Sequence, residues 1–182
     1  MEFLSEIPRM SDLLETAQRY AASDFPILIC GETGTGKELL ARLIHRNSPR
    51  ASSPFVTVSV GAVPDTLLGA ELFGSVEGAF SGATADHPGV LAAAHGGTLL
   101  LDGLESASPA FQVAMLHFLQ SGTLRPVGSQ QSRELDVRLL SASGTDIATL
   151  RSHLRGDFFF RLSALQLEIP PLRRRREDIR LL

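Results

Sequence analysis

Residues 31–37, "GETGTGK", place three glycines and a lysine at the spacing G-x-x-x-x-G-K. A backbone curled at Gly31, Gly34 and Gly36 turns successive N–H groups toward one point, and Lys37 adds a mobile positive charge. Such a concavity suits a polyphosphate, with Glu32, Thr33 and Thr35 completing the turn. Glu38 stands where the general pattern has a magnesium-binding Ser or Thr. Asp102 follows the apolar run 98–101, and a carboxylate there can hold magnesium through water beside the phosphates. ATP and Mg2+ are the expected cofactors.

A phosphate turn works only when a strand delivers it and a helix continues it. Ile27, Leu28, Ile29 and Cys30 form a continuous apolar run ending at a glycine, as a strand buried on both faces does. Leu39, Leu40, Leu43 and Ile44 then mark a helix, and Met10, Leu13, Leu14, Ala17 and Tyr20 mark an amphipathic one upstream. Further strands are expected at 54–60, "PFVTVSV", and at 98–101, 137–142 and 165–169, with a helix over 110–119. This alternation predicts an α/β fold: a five-stranded parallel sheet with helices on both faces. Residues 74–89 and 122–136 break the rhythm and read as two exposed loop or hairpin insertions.

Composition bounds the rest. At 182 residues and 43% hydrophobic, the chain supports one core, so a single domain over 1–182 is expected. A net charge of -3 argues against a whole-surface grip on nucleic acid. The single cysteine, Cys30, fits a reducing compartment, and the absence of a signal-like start or an apolar span predicts a cytoplasmic chain without membrane contact. The histidines His45, His87, His95, His117 and His153 are scattered without metal-ligand spacing and read as ordinary helix or loop positions.

Taken together, "GETGTGKELLARLIH", "ELFGSVEGAFSGA", "GGTLLLDG", "LRPVGSQQSRELDVRLLSAS" and "LRGDFFFRL…EIPPLRRRREDI" closely resemble the AAA+ ATPase domain of bacterial sigma-54-dependent transcription activators, the enhancer-binding proteins. The resemblance runs almost end to end and implies the P-loop AAA+ three-layer sandwich. In that family Glu commonly follows the nucleotide-loop lysine, which accounts for Glu38. The stretch Gly78, Ala79, Phe80, Ser81, Gly82 and Ala83 matches the family's sigma-54-contacting GAFTGA loop, with Ser81 in the Thr place. Its glycines permit a sharp tip and Phe80 offers an apolar contact. Arg155 and Arg161 match arginine fingers that reach into a neighbouring subunit's ATP, implying a homo- or hetero-oligomeric ring; without the family they would read as a solvated helix edge. The run 173–176 reads as solvated surface. The implied partner is sigma-54 RNA polymerase holoenzyme.

Three positions depart from the family on one job. Gly103 stands where the Walker B glutamate polarises the attacking water. Ser59 replaces the asparagine that restrains that glutamate, and Gly144 replaces the sensor asparagine at the γ-phosphate. Groups that hold ATP are intact while groups that cleave it are gone. Loss of a general base costs about 10²- to 10⁴-fold, so weak or absent hydrolysis is expected. Glu105, two residues beyond Gly103, is expected to sit several Å away on another face. The resemblance stops near Leu182, where a helical lid would begin; that lid, any sensory domain and any helix-turn-helix DNA-binding domain are expected to be absent from this stretch, which reads as either a fragment of a longer activator or a naturally short relative. Three roles stay open: a remodelling ATPase subunit or partner in a mixed ring, a non-enzymatic nucleotide-binding module, and a decayed fragment.

Overall fold

A computed structural model describes residues 8–175. Helix α1 (Pro8–Ala21) leads into β1 (Ile27–Cys30) and α2 (Lys37–Arg46), followed by β2 (Phe55–Ser59), α3 (Leu68–Phe73) and α4 (Val90–Ala93). The chain continues through β3 (Thr98–Asp102), α5 (Pro109–Ser121), β4 (Thr123–Leu124), β5 (Arg133–Glu134) and β6 (Arg138–Ser143). It closes with α6 (Ile147–His153), α7 (Gly156–Leu162) and β7 (Leu165–Glu168).

The five expected strands form one parallel sheet in the order β2-β3-β6-β1-β7. Side-chain alternation divides the core in two. Ile27 and Ile29 face α1 and α2, where Met10, Ala17, Leu40, Ala41 and Ile44 are buried. Leu28 and Cys30 face the other side, packed with Phe111 and Met115 of α5 and with Phe158, Phe159 and Leu162 of α7. The three-layer sandwich is therefore present. Phe158 and Phe159 belong to its core, while Phe160 is 65% exposed.

Two caps show how sequence sets the helix starts. Ser108 accepts a hydrogen bond from Phe111 N with Pro109 as the first helical residue, and Asp146 accepts from Thr149 N at the head of α6. Helices α3, α4 and α6 were not expected from the sequence, whereas α7 falls where Arg155 and Arg161 read as a helix edge. The two insertions become a β4–β5 hairpin and a loop pinned to it, since Ser75 pairs with both His87 and Val127.

Parallel register is what assembles a site. Cys30 pairs with Ser143, Ala142 with Asp102, and Asp102 with Ser59, so the carboxyl ends of β1, β6, β3 and β2 stand in one row. Loops leaving that row share a single crevice, the usual ligand position in an open α/β sheet.

Candidate nucleotide-binding site

Residues 31–37 leave β1 and run into α2, which begins at Lys37. Gly36 holds a left-handed conformation, φ 93°, that only glycine adopts freely, and it turns the chain into the helix. Gly31 is needed for space, because a Cβ there would stand 2.9 Å from Thr35 Oγ1 and 3.0 Å from Ile169 O. Thr35 is buried and donates its hydroxyl to Glu32 O at 2.8 Å. Lys37 Nζ donates to Gly31 O at 2.7 Å and to Glu32 O at 3.0 Å, which holds the ammonium over the turn. Glu38 is ion-paired with Arg42 one helical turn on, at 2.7 Å.

A cleft of about 310 Å³ is bounded by Thr33, Gly34, Gly36, Lys37 and Glu38 on one side and by Asp102, Gly103, Glu105 and Gly144 on the other. Asp102 is half-buried, and no described residue ties up its carboxylate. Among the described residues no cluster of three or more His, Cys, Asp or Glu side chains could cage a metal. An open carboxylate at Asp102 beside a phosphate turn instead fits magnesium carried mainly by phosphate oxygens and water.

Two expectations need correction here. The side chain of Glu105 does not turn away: the 3-10 turn Leu104–Ser106 returns it to the tip of β6, where it bonds Ser143 and Gly144. Nor is the basic run simple surface. Arg173 makes a two-pronged pair with Glu32, both contacts at 2.7 Å, and the guanidinium holds the Glu32 carboxyl below its ordinary range. Arg175 is buried and donates to Thr35 O at 2.6 Å. The chain following β7 is thus latched to the nucleotide turn. Arg174 is exposed as expected, and Arg176 lies outside the described residues. Sequence reading missed both arrangements, although a Glu two residues past a strand-ending glycine and an Arg-rich run beside "EIPP" were the available signals.

Ser59 is exposed at the end of edge strand β2, beside Asp102 in register. Cys30 lies directly before the turn but is chemically quiet, since burial above all, then nearby Glu168, pushes its thiol up to about 12.

The remaining site candidates are remote from this cleft in sequence and cluster at two exposed places. Gly78 N donates to Ala83 O at 2.8 Å and Ala83 N to Phe80 O at 3.0 Å, closing a small loop that carries Phe80, 44% exposed, and exposed Ser81 and Gly82 near its tip. Its base is braced by the second insertion through Val76 N to Val127 O at 3.1 Å. Arg155 is exposed and held by Asp157 at 2.9 Å. Arg161, on the last turn of α7, is exposed with no described partner.

Residues 3–168 match the model of a family described as the sigma-54 interaction domain. Among curated proteins, the chain is 46% identical over 167 residues to the hydrogenase transcriptional regulatory protein HoxA of Cupriavidus necator, covering 91% of this chain and 35% of HoxA. It is 45% identical over 181 residues to the response regulator PilR of Pseudomonas aeruginosa, covering 98% and 41%. Among solved structures, NtrX of Brucella abortus in complex with ATP superposes with a TM-score of 0.89 at 33% identity, covering 100% of this chain and 41% of NtrX. This chain therefore spans about two fifths of the length of such relatives. Among its described residues no helix is long and apolar enough to cross a membrane.

Proposed function

Because the chain belongs to the sigma-54 interaction domain family, we propose that it is the α/β nucleotide-binding part of a transcriptional regulator that holds Mg·ATP in the Lys37–Asp102 cleft and presents Phe80 to sigma-54 RNA polymerase holoenzyme. The observation that carries this reading is the convergence of the 31–37 turn, Lys37, Asp102 and the β6 tip on one cleft. Lys37 and the turn's N–H groups would bind the β- and γ-phosphates, and the start of α2 adds a favourable dipole. Asp102 would hold magnesium through water, and the bound ion would neutralise charge on the phosphate oxygens.

Hydrolysis is proposed to be slow. Gly103 offers no side chain to accept a proton, Ser59 is too short to reach far beyond the edge strand, and Gly144 offers only its backbone amide. Turnover about 10²- to 10⁴-fold below that of relatives with a glutamate at the Gly103 position is the expected outcome.

A second reading is favoured by Arg161, which is exposed on the last turn of α7 with no partner among the described residues. An arginine so placed can serve a neighbour's ATP in a homo- or hetero-oligomeric ring and needs no base in its own subunit. The test pairs calorimetric titration of Mg·ATP with capture of purified sigma-54 holoenzyme by the chain and by Phe80→Ala. ATP-dependent capture that is lost in Phe80→Ala is expected. Capture indifferent to both ATP and Phe80 would remove the proposed contact. Stimulated turnover on mixing with an active relative, abolished by Arg161→Ala, would select the mixed ring.

A further inference from the structure

The turn after β3 brings a carboxylate into the cleft from a residue outside the familiar motif. Gly103 takes φ 75° and ψ 43°, a left-handed conformation that lets the chain double back. Leu104 then anchors the turn in the core, fully buried, and Glu105 swings toward the end of β6. Its Oε2 accepts from Ser143 Oγ at 2.8 Å and from Gly144 N at 3.0 Å. Ser143 Oγ has a single proton, committed to Glu105, so the Thr145 hydroxyl 3.0 Å away donates to it, as does Thr145 N at 3.2 Å. The seat of the carboxylate is built from three residues and is well defined.

The other oxygen, Oε1, accepts no hydrogen bond from the described residues, and Glu105 lines the cleft with Lys37 and Asp102. It stands 2.8 Å from where a Cβ on residue 144 would be, and Thr33 Oγ1 of the nucleotide turn is 3.8 Å from that same point. Any side chain at 144 would force it to shift. Bare positions at 103 and 144 and an acid at 105 thus fit together as one arrangement: the first supplies the reversal, the second the room, the third the carboxylate.

We propose that Glu105 is the water-activating carboxylate of this site. The proposal rests on the reading that the cleft holds Mg·ATP. As water attacks, its oxygen forms a bond to the γ-phosphorus and its proton passes to Oε1. The bond from the γ-phosphorus to the β–γ bridging oxygen breaks, and its electron pair stays with ADP. ADP and inorganic phosphate leave, and Glu105 returns the proton to solvent. Such a relocated base restores part of what a bare position 103 removes.

Phosphate release from saturating Mg·ATP, measured over a range of chain concentrations, tests this with Glu105→Gln and Gly144→Ala. The glutamine keeps size and acceptor capacity. The alanine meets only the mobile end of Glu105, at a position whose φ an L residue accepts, so both variants keep the fold. Turnover is expected to fall roughly 10²-fold in Glu105→Gln, with a comparable loss in Gly144→Ala, while calorimetric affinity for Mg·ATP stays within about threefold of the parent chain. Equal turnover in the parent and Glu105→Gln, including none in either, overturns the proposal. Failure of the parent chain to bind Mg·ATP overturns the underlying nucleotide reading instead, so the two failures are told apart by the titration.

Discussion

The two ends of the sheet are built on opposite plans. At the amino ends of the strands, most polar groups are taken up in closure, although Arg138 Nε is buried with no hydrogen-bond partner among the described residues. Arg138, 2% exposed, donates to Ala21 O and Tyr20 O at 2.9 Å each and so satisfies the last carbonyls of α1. Arg50 pairs with Asp24 at 3.0 Å and Asp136 at 2.8 Å, joining the segments that enter β1 and β6. His45 is buried with Nδ1 2.9 Å from Thr98 Oγ1. At the carboxyl ends, by contrast, Asp102 and Glu105 line a cleft, the Asp102 carboxylate and Glu105 Oε1 having no hydrogen-bond partner among the described residues, and glycines stand at 103 and 144. One end spends its polar groups on stability and the other keeps them available, so substitutions at the two ends should separate folding from ligand binding.

The largest expected effect lies at the closed end. Arg138→Met removes the guanidinium from two carbonyls while filling similar volume, and should cost about 2–3 kcal/mol in urea unfolding with Mg·ATP affinity unchanged. Loss of affinity without loss of stability would erase the contrast. Next, Lys37→Ala at the open end should weaken Mg·ATP binding about 10- to 100-fold by calorimetry, since a charge-assisted bond to phosphate is worth about 1.5–3 kcal/mol. Its unfolding midpoint should barely move. Gly103→Ala asks whether the left-handed turn matters: open space surrounds the added methyl, so the penalty is conformational, about 1 kcal/mol. A penalty near zero would mean that the turn relaxes.

The smallest effect is one of pH. Burial, the leading cause, holds the His45 imidazole below its ordinary value, so the unfolded chain takes up that proton first. The contribution is therefore complete above about pH 6.5 and is lost as pH falls below it. Thermal midpoints should decline between pH 7 and 5 in the parent chain and stay flatter in His45→Gln. An equal slope in both would move the sensitivity elsewhere.

The strands were legible because each is an apolar run bounded by turn residues, and register then follows from parallel pairing. Helices α3, α4 and α6, at 4–7 residues, are too short to show a helical period and were missed for that reason. The phosphate turn and Asp102 were legible because each is a local pattern. The bond between Glu105 and Ser143 spans 38 positions and depends on a single backbone reversal at Gly103; that between Arg173 and Glu32 spans 141. Glu105 was expected away from the site because the chain was taken to run on past β3, and the left-handed Gly103 reverses it instead.

Cys30 has a practical corollary. The only thiol in the sequence is fully buried and held protonated at neutral pH, so maleimides have no native thiol target in the folded domain. A single cysteine introduced at Ser81 would then be the sole reactive group. It would carry a spin label or fluorophore to the tip of the Phe80 loop without any background substitution, so loop excursions can be followed in an otherwise native chain.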